Sequence, residues 1–287
     1  MLTDLFELDG SPTVHQQGTV MPSMSPDEVV SNTLFQGDRW HEPRKMIKKV
    51  TFRNVSMAKM EFLQLTFTEC TFEDCLFSTC HFREVEFHRC VFVNCNFWKA
   101  KFDRCYLDPE TISFDERYRV EAANVGLTMY QALLSNYSDE RQDEFFAHAD
   151  IEFRRWKRYQ LKRDIRQKNV DRWSGEWRCL KSLVYDLVAG FGYRPGRVFL
   201  ITIIGFLIIS IFNHFVIGGN LLVNGQRPTV PTFVDSVFYS FSVLTVLGFS
   251  TVVPDGTWAK LLTVFEALAA IGWLSIFTSV LVKRFLR

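Results

Sequence analysis

The chain has 287 residues, with 33 Lys or Arg against 32 Asp or Glu and a formal net charge of +1; its mean hydropathy is +0.01. So even a balance excludes a chain that is acidic or basic overall and binds polyions by charge alone. The length leaves room for two or three units. The near-zero averages hide a sharp division along the chain, from polar to strongly apolar.

Residues 1–40 are polar, with Pro and Ser and no apolar core segment, so no cleavable signal peptide is expected, and 1–47 reads as a disordered tail. From Val50 to Leu107 the sequence repeats every five residues. Phe occupies 52, 62, 67, 72, 77, 82, 87, 92, 97 and 102, with Met57 and Leu107 in the same slot. Two residues before each lies a small or apolar side chain, among them Cys70, Cys75, Cys80, Cys90, Cys95 and Cys105. Two inward positions in five fit neither a helix nor an alternating strand. The pattern resembles the pentapeptide-repeat family, which implies a right-handed quadrilateral β-helix over 48–109, with four pentapeptides per coil and three coils. The regular five-residue spacing of the cysteines argues against a metal site, which favours C-x-x-C pairs, and a disulfide framework needs an oxidising compartment; both readings yield to small buried side chains stacked beside Phe. Some pentapeptide-repeat proteins imitate nucleic acid. Residues 48–108 carry nine bases and eight acids, which suits no nucleic-acid mimic or binder and leaves a docking or spacer module with a cytosolic protein partner.

Pro109 is expected to end the repeats, and a cytosolic helical domain follows over 110–175. Ala123, Leu127, Tyr130, Leu134 and Tyr137 mark one face of a helix. Ser138 before Asp139 and Glu140 reads as the N-cap of a second helix, whose stripe Phe146, Ala149, Phe153 and Trp156 would pack on the first. The basic tract after it could suggest RNA; beside a membrane it fits anionic lipid better. Over 176–194, Trp177, Leu180, Val184, Leu187 and Phe191 share one helical face, which predicts an interfacial helix. Leu183 and Leu187 are candidates for transmitting gating motions, against the plainer role of an anchor.

Two apolar runs follow, Val198–Ile217 and Ala259–Val282, each long enough to cross the ~30 Å hydrocarbon layer. The stretch Ser236–Pro254 between them reads as a short amphipathic helix and a Gly-containing turn. Irregular backbone at membrane depth is tolerated only where it is buried in protein or lines water, so 195–287 reads as a two-transmembrane pore module. Residues 233–287 resemble the pore of two-transmembrane potassium channels, with an aromatic-rich pore helix, a turn containing Trp258 and an inner helix FEALAAIGWLSIF. The family filter, T-x-G-[YF]-G-D, aligns with Val246, Leu247, Gly248, Phe249, Ser250 and Thr251, after Thr245. The resemblance implies a homotetramer in the lipid bilayer whose carbonyl oxygens replace the hydration shell of K+ or Na+, with no cofactor beyond the permeant ion. Val246 lacks the hydroxyl of the family Thr. Ser250 replaces a Gly that would relax the backbone, and Thr251 replaces the Asp that anchors the loop. The expectation is a cation pore with reduced discrimination, or, alternatively, a non-conducting anchor for a membrane-tethered scaffold.

Residues 154–197 hold thirteen Lys or Arg against four acids, and the loop 218–256 holds a single base, Arg227. The positive-inside rule then puts both termini in the cytoplasm, in a multi-pass inner-membrane protein. Glu266 inside an apolar helix is costly unless paired; the resemblance suggests that it braces the filter, together with Thr251. Gly272 is a flex point of the inner helix or a packing glycine. No nucleophile motif, phosphate loop or His spacing for a metal appears, so no enzyme is expected.

Overall fold

The computed structural model describes residues 6–16, 24–37, 39–41, 45–226, 232–245 and 251–285. The chain forms two compact units, Met1–Ser182 and Leu183–Arg287.

In the first unit the repeats wind into a β-solenoid. One sheet stacks Thr13–His15, Val29–Phe35, Thr51–Ser56, Thr71–Glu73, Val91–Val93 and Ile112–Ser113 in that order, all parallel. Two further sheets stack four strands each, and the remaining side carries the isolated bridges Ser56–Leu76–Asn96. Register advances by twenty residues per coil, pairing Phe52 with Phe72 and Phe72 with Phe92. Four pentapeptides per turn therefore hold, but six levels on the longest face, about 24 Å at the usual strand spacing, replace the three coils read from the repeats.

The additional coils lie upstream, in residues read from sequence as a disordered tail. Strands Val29–Phe35, Arg39–His41 and Met46–Lys48 belong to the solenoid, with Phe35, Trp40 and Ile47 buried. Trp40 pairs with Phe62, 22 residues on, whereas Ile47 pairs with Phe67, 20 residues on. That change of step breaks the five-residue period and hides the coil. At the other end, Pro109–Thr111 forms a 3-10 turn and Ile112–Ser113 adds one more strand beyond the proline.

The inward Phe rings form columns. Successive coils stack at 4.7–5.1 Å within 14° of parallel, and neighbouring columns meet edge to face. Each ring so placed contributes about 1.5–3 kcal/mol by burial and offset stacking adds about 0.5–1.5 kcal/mol per pair. The small inward slot suits cysteine for a specific reason. The thiols of Cys70, Cys75, Cys80, Cys95 and Cys105 donate to carbonyls 23 residues upstream. All seven cysteines are free. Each corner is turned by a residue in the left-handed region: every fifth residue from Lys49 to Arg104 has φ between 48° and 64°.

Four helices follow. Asp115 caps α1 (Glu116–Glu121) by accepting from the Tyr118 amide. The helix α2 (Ala123–Asp139) packs antiparallel on α3 (Asp143–Arg166), with Arg163 reaching Asn124 and Phe145 lying beside Tyr137. Ser138 is not the cap of α3. It sits inside the last turn of α2, and Gln142 takes the N-cap place. Gly126 lies against the Trp156 ring. Asn136 of α2 closes the solenoid, accepting from the Cys105 amide at 2.9 Å and donating to its carbonyl at 2.8 Å, while Tyr137 donates to the Leu107 carbonyl at 2.6 Å.

The helix α4 (Arg172–Ala189) leaves Trp173, Trp177, Leu180, Val184 and Leu187 exposed. Phe191, read as the end of that stripe, lies past the helix. Gly190, Phe191 and Gly192 all have positive φ, so the chain turns there and Phe191 is buried.

The second unit contains α5 (Pro195–Val216), α6 (Phe233–Leu244) and α7 (Thr257–Phe285). α5 and the Thr257–Val282 part of α7 are long and apolar enough to cross a membrane; α6 is not. Pro195 opens α5 at a position where its missing N–H costs nothing. Thr232 and Asp235 form a reciprocal capping box at the start of α6.

Candidate functional site

The membrane unit is organised around α6. Twelve residues span about 18 Å, too little to cross the hydrocarbon layer, so the helix depends on its neighbours for its polar groups. Ser236, Tyr239 and Ser240 are buried on it. Asn213, near the end of α5, is fully buried and donates through Nδ2 to Ser240 Oγ at 2.9 Å and to Glu266 Oε2 at 3.3 Å. The next residue, His214, places Nδ1 3.3 Å from Ser236 Oγ. On the α7 side, the hydroxyls of Tyr239 and Thr263 are hydrogen-bonded, and Thr263 also donates to the Ala259 carbonyl. Two consecutive α5 residues thus grip two serines one turn apart on α6, while α7 holds the tyrosine between them.

Beyond α6 the chain is held by main-chain bonds. Leu221–Val223 pairs antiparallel with Val252–Pro254, and the Asp255 amide donates to the Asn220 carbonyl at 2.7 Å. Further along both helices from the Asn213–Glu266 contact, Trp273 Nε1 donates to Thr202 Oγ1 at 2.9 Å, joining α7 to α5.

The predicted site residues fall as follows. Val246, Leu247, Gly248, Phe249 and Ser250 lie outside the described residues. Thr245 forms the C-cap of α6, its hydroxyl donating to the Phe241 carbonyl at 2.6 Å. Thr251 is exposed, and its carbonyl accepts from the Asn224 amide at 2.9 Å. Glu266 is 8% exposed and meets the α5 amide. Gly272 is exposed, and a Cβ added there would meet nothing within 4 Å. Leu183 and Leu187 are both exposed on α4. Sequence reasoning found Glu266 but passed over Asn213, Ser236, Ser240, Tyr239 and Thr263. The signal was present: a carboxamide four residues before the end of an apolar run, and serines spaced i, i+4 on the short helix.

Residues 197–287 match the ion-channel family Ion_trans_2, and residues 70–108 match eight copies of the pentapeptide repeat. The chain joins a pentapeptide-repeat domain to an ion-channel domain. The channel match runs from the start of α5 through α7, so the buried network lies entirely within it. Neither matched family is enzymatic, and the channel domain with its two long apolar helices belongs to a membrane. Among solved structures, the chain is similar to QnrB1, a plasmid-mediated fluoroquinolone resistance protein, at 16% identity over 31% of this chain and 56% of that one, with a TM-score of 0.14. The alignment thus spans little more than half of that protein. No curated protein sequence matches the chain significantly.

Proposed function

We propose that the protein is a homotetrameric cation channel, permeable to K+ and less strict against Na+ than its family, with both termini in the cytoplasm and with gating driven through its cytosolic domains. The observation that carries this reading is a helix too short to span, held by buried polar side chains between two spanning helices, within a segment that matches an ion-channel family. One copy also leaves Val234 73% and Phe241 50% exposed on that helix, apolar surface that further copies around a shared axis would cover. The weaker discrimination follows from the filter sequence, in which Val246 offers no hydroxyl and Ser250 replaces the second glycine.

Full-length protein reconstituted in liposomes should carry K+ and Na+ currents, with a bi-ionic reversal potential between those of an unselective pore and a strict potassium channel. A potassium shift as large as the strict channel gives would refute weaker discrimination, and electrical silence would refute conduction. For gating, α4 enters α5 through the turn at Gly190–Gly192, and it carries the exposed Leu183 and Leu187. Leu187→Pro and Leu183→Lys should alter open probability; unchanged opening in both would reduce α4 to an anchor.

A further inference from the structure

Asn213 occupies a position where packing alone gives no reason for an amide. It is fully buried, and its Oδ1 has no hydrogen-bond partner. A dehydrated carbonyl oxygen left unpaired is costly, and an apolar residue of similar size would avoid that cost. The other end of the amide is used twice, on Ser240 of α6 and Glu266 of α7. Among the described residues this is the one side chain that bonds to both other membrane helices. We infer that Asn213 is a positioning residue for ion selection, fixing the height and rotation of α6 and hence the place at which the filter segment begins.

The geometry supplies the reason. The last residue of α6, Leu244, and its C-cap Thr245 run directly into Val246. A slip of α6 along its own axis therefore moves the point from which the chain continues into Val246. Ser236 and Ser240 lie one turn apart and meet His214 and Asn213, which are adjacent on α5; this double contact permits one register. Carbonyl rings discriminate between ions by cavity size or by the number and field of their oxygens, and either property changes when the ring is displaced by a fraction of an ångström. Because α5 is the helix to which the cytosolic domains connect in sequence, a displacement of α5 also reaches the filter through Asn213 without passing along α7.

This inference rests on the channel reading, and the experiment separates the two. Asn213→Ala, Ser240→Ala and the double variant are made in the full chain, with Trp273→Phe as a control that breaks the α5–α7 bond to Thr202 away from α6. The K+/Na+ permeability ratio is measured from bi-ionic reversal potentials, alongside the thermal midpoint. Each single variant on the Asn213–Ser240 bond should shift the ratio by about threefold or more, and the double should go no further than the larger single, as coupled partners do. Trp273→Phe should lower the midpoint and leave the ratio at the wild-type value. Wild-type ratios in both single variants, or an equal shift in Trp273→Phe, overturn the role of Asn213 while conduction stands. A silent wild-type protein overturns conduction and this inference with it. Should Asn213→Ala fail to assemble, Ser240→Ala breaks the same bond with a smaller change and decides the matter.

Discussion

Gly126 sets two physical effects against each other, and their magnitudes predict the sign of a single substitution. Gly126→Ala removes a flexible residue from the interior of α2, which by helix propensity alone stabilises by about 1 kcal/mol. The new methyl carbon, however, would lie 2.2, 2.4 and 2.5 Å from Cδ2, Cε3 and Cε2 of Trp156, whereas apolar carbons rest about 3.5–4.0 Å apart. The ring has nowhere to go. Trp156 is 2% exposed, lying edge to face against Phe114 at 4.9 Å and Tyr159 at 5.7 Å. Either α2 and α3 separate by more than an ångström or the indole leaves its place. Overpacking of this kind costs about 1–3 kcal/mol, and expelling a buried Trp approaches the ~3–5 kcal/mol of its deletion. After the propensity gain, a net loss of about 2 kcal/mol remains. Native-state hydrogen exchange on the full chain, read by mass spectrometry on α2 and α3 peptides, should then show amides exchanging roughly 30-fold faster. Unchanged or slower exchange would mean that the ring yields freely and that the packing at this helix crossing is misjudged.

Two further outcomes follow from the solenoid. Thr79 turns a corner at φ 58°, a conformation unfavourable for a β-branched residue, while Asn54 and Asn94 turn equivalent corners; Thr79→Asn should raise stability by about 0.5–1 kcal/mol, and a lower thermal midpoint would contradict strain at that corner. Burial pushes the Cys80 thiol up to about 12 and the Cys105 thiol up to about 11, from an ordinary value of 9.0. Both thiols therefore stay protonated in the folded state while the unfolded chain ionises, so stability is full below pH 9 and falls as pH rises toward 11–12, by at most about 1.4 kcal/mol per pH unit per thiol. Cys80→Ala/Cys105→Ala should flatten that alkaline decline in a pH series of unfolding midpoints; a decline of the same slope would assign it to other groups.

The solenoid core was legible because one residue type recurs at one spacing, and Phe every fifth residue admits few folds. The same logic explains the missed coils. At Trp40 the step to the next coil is 22 residues and the ring is not Phe, so the period fails although the backbone still pairs. Ser138 resembled a helix start because Ser followed by acids fits an N-cap, yet the Glu140 amide still donates to the Asn136 carbonyl, which carries α2 past it. Phe191 matched a helical stripe by spacing, but Gly190 and Gly192 on either side signalled the turn that removes it. In the membrane unit, length and hydropathy gave the helices, and an acid in an apolar run gave Glu266. Asn213 gave less warning, since its importance depends on Ser240 and Glu266, 27 and 53 positions away, and no local pattern joins them.

A stack of parallel coils ends in a rim of unpaired amides and carbonyls that would accept another strand from any chain. Asn136 occupies that rim with a side chain whose amide imitates one peptide unit, matching the donor and acceptor of Cys105 without offering a strand of its own to extend. The Cys105 peptide unit at this end is therefore met by a helix side chain and not by a further strand, so no other chain can add a strand to the stack at that point.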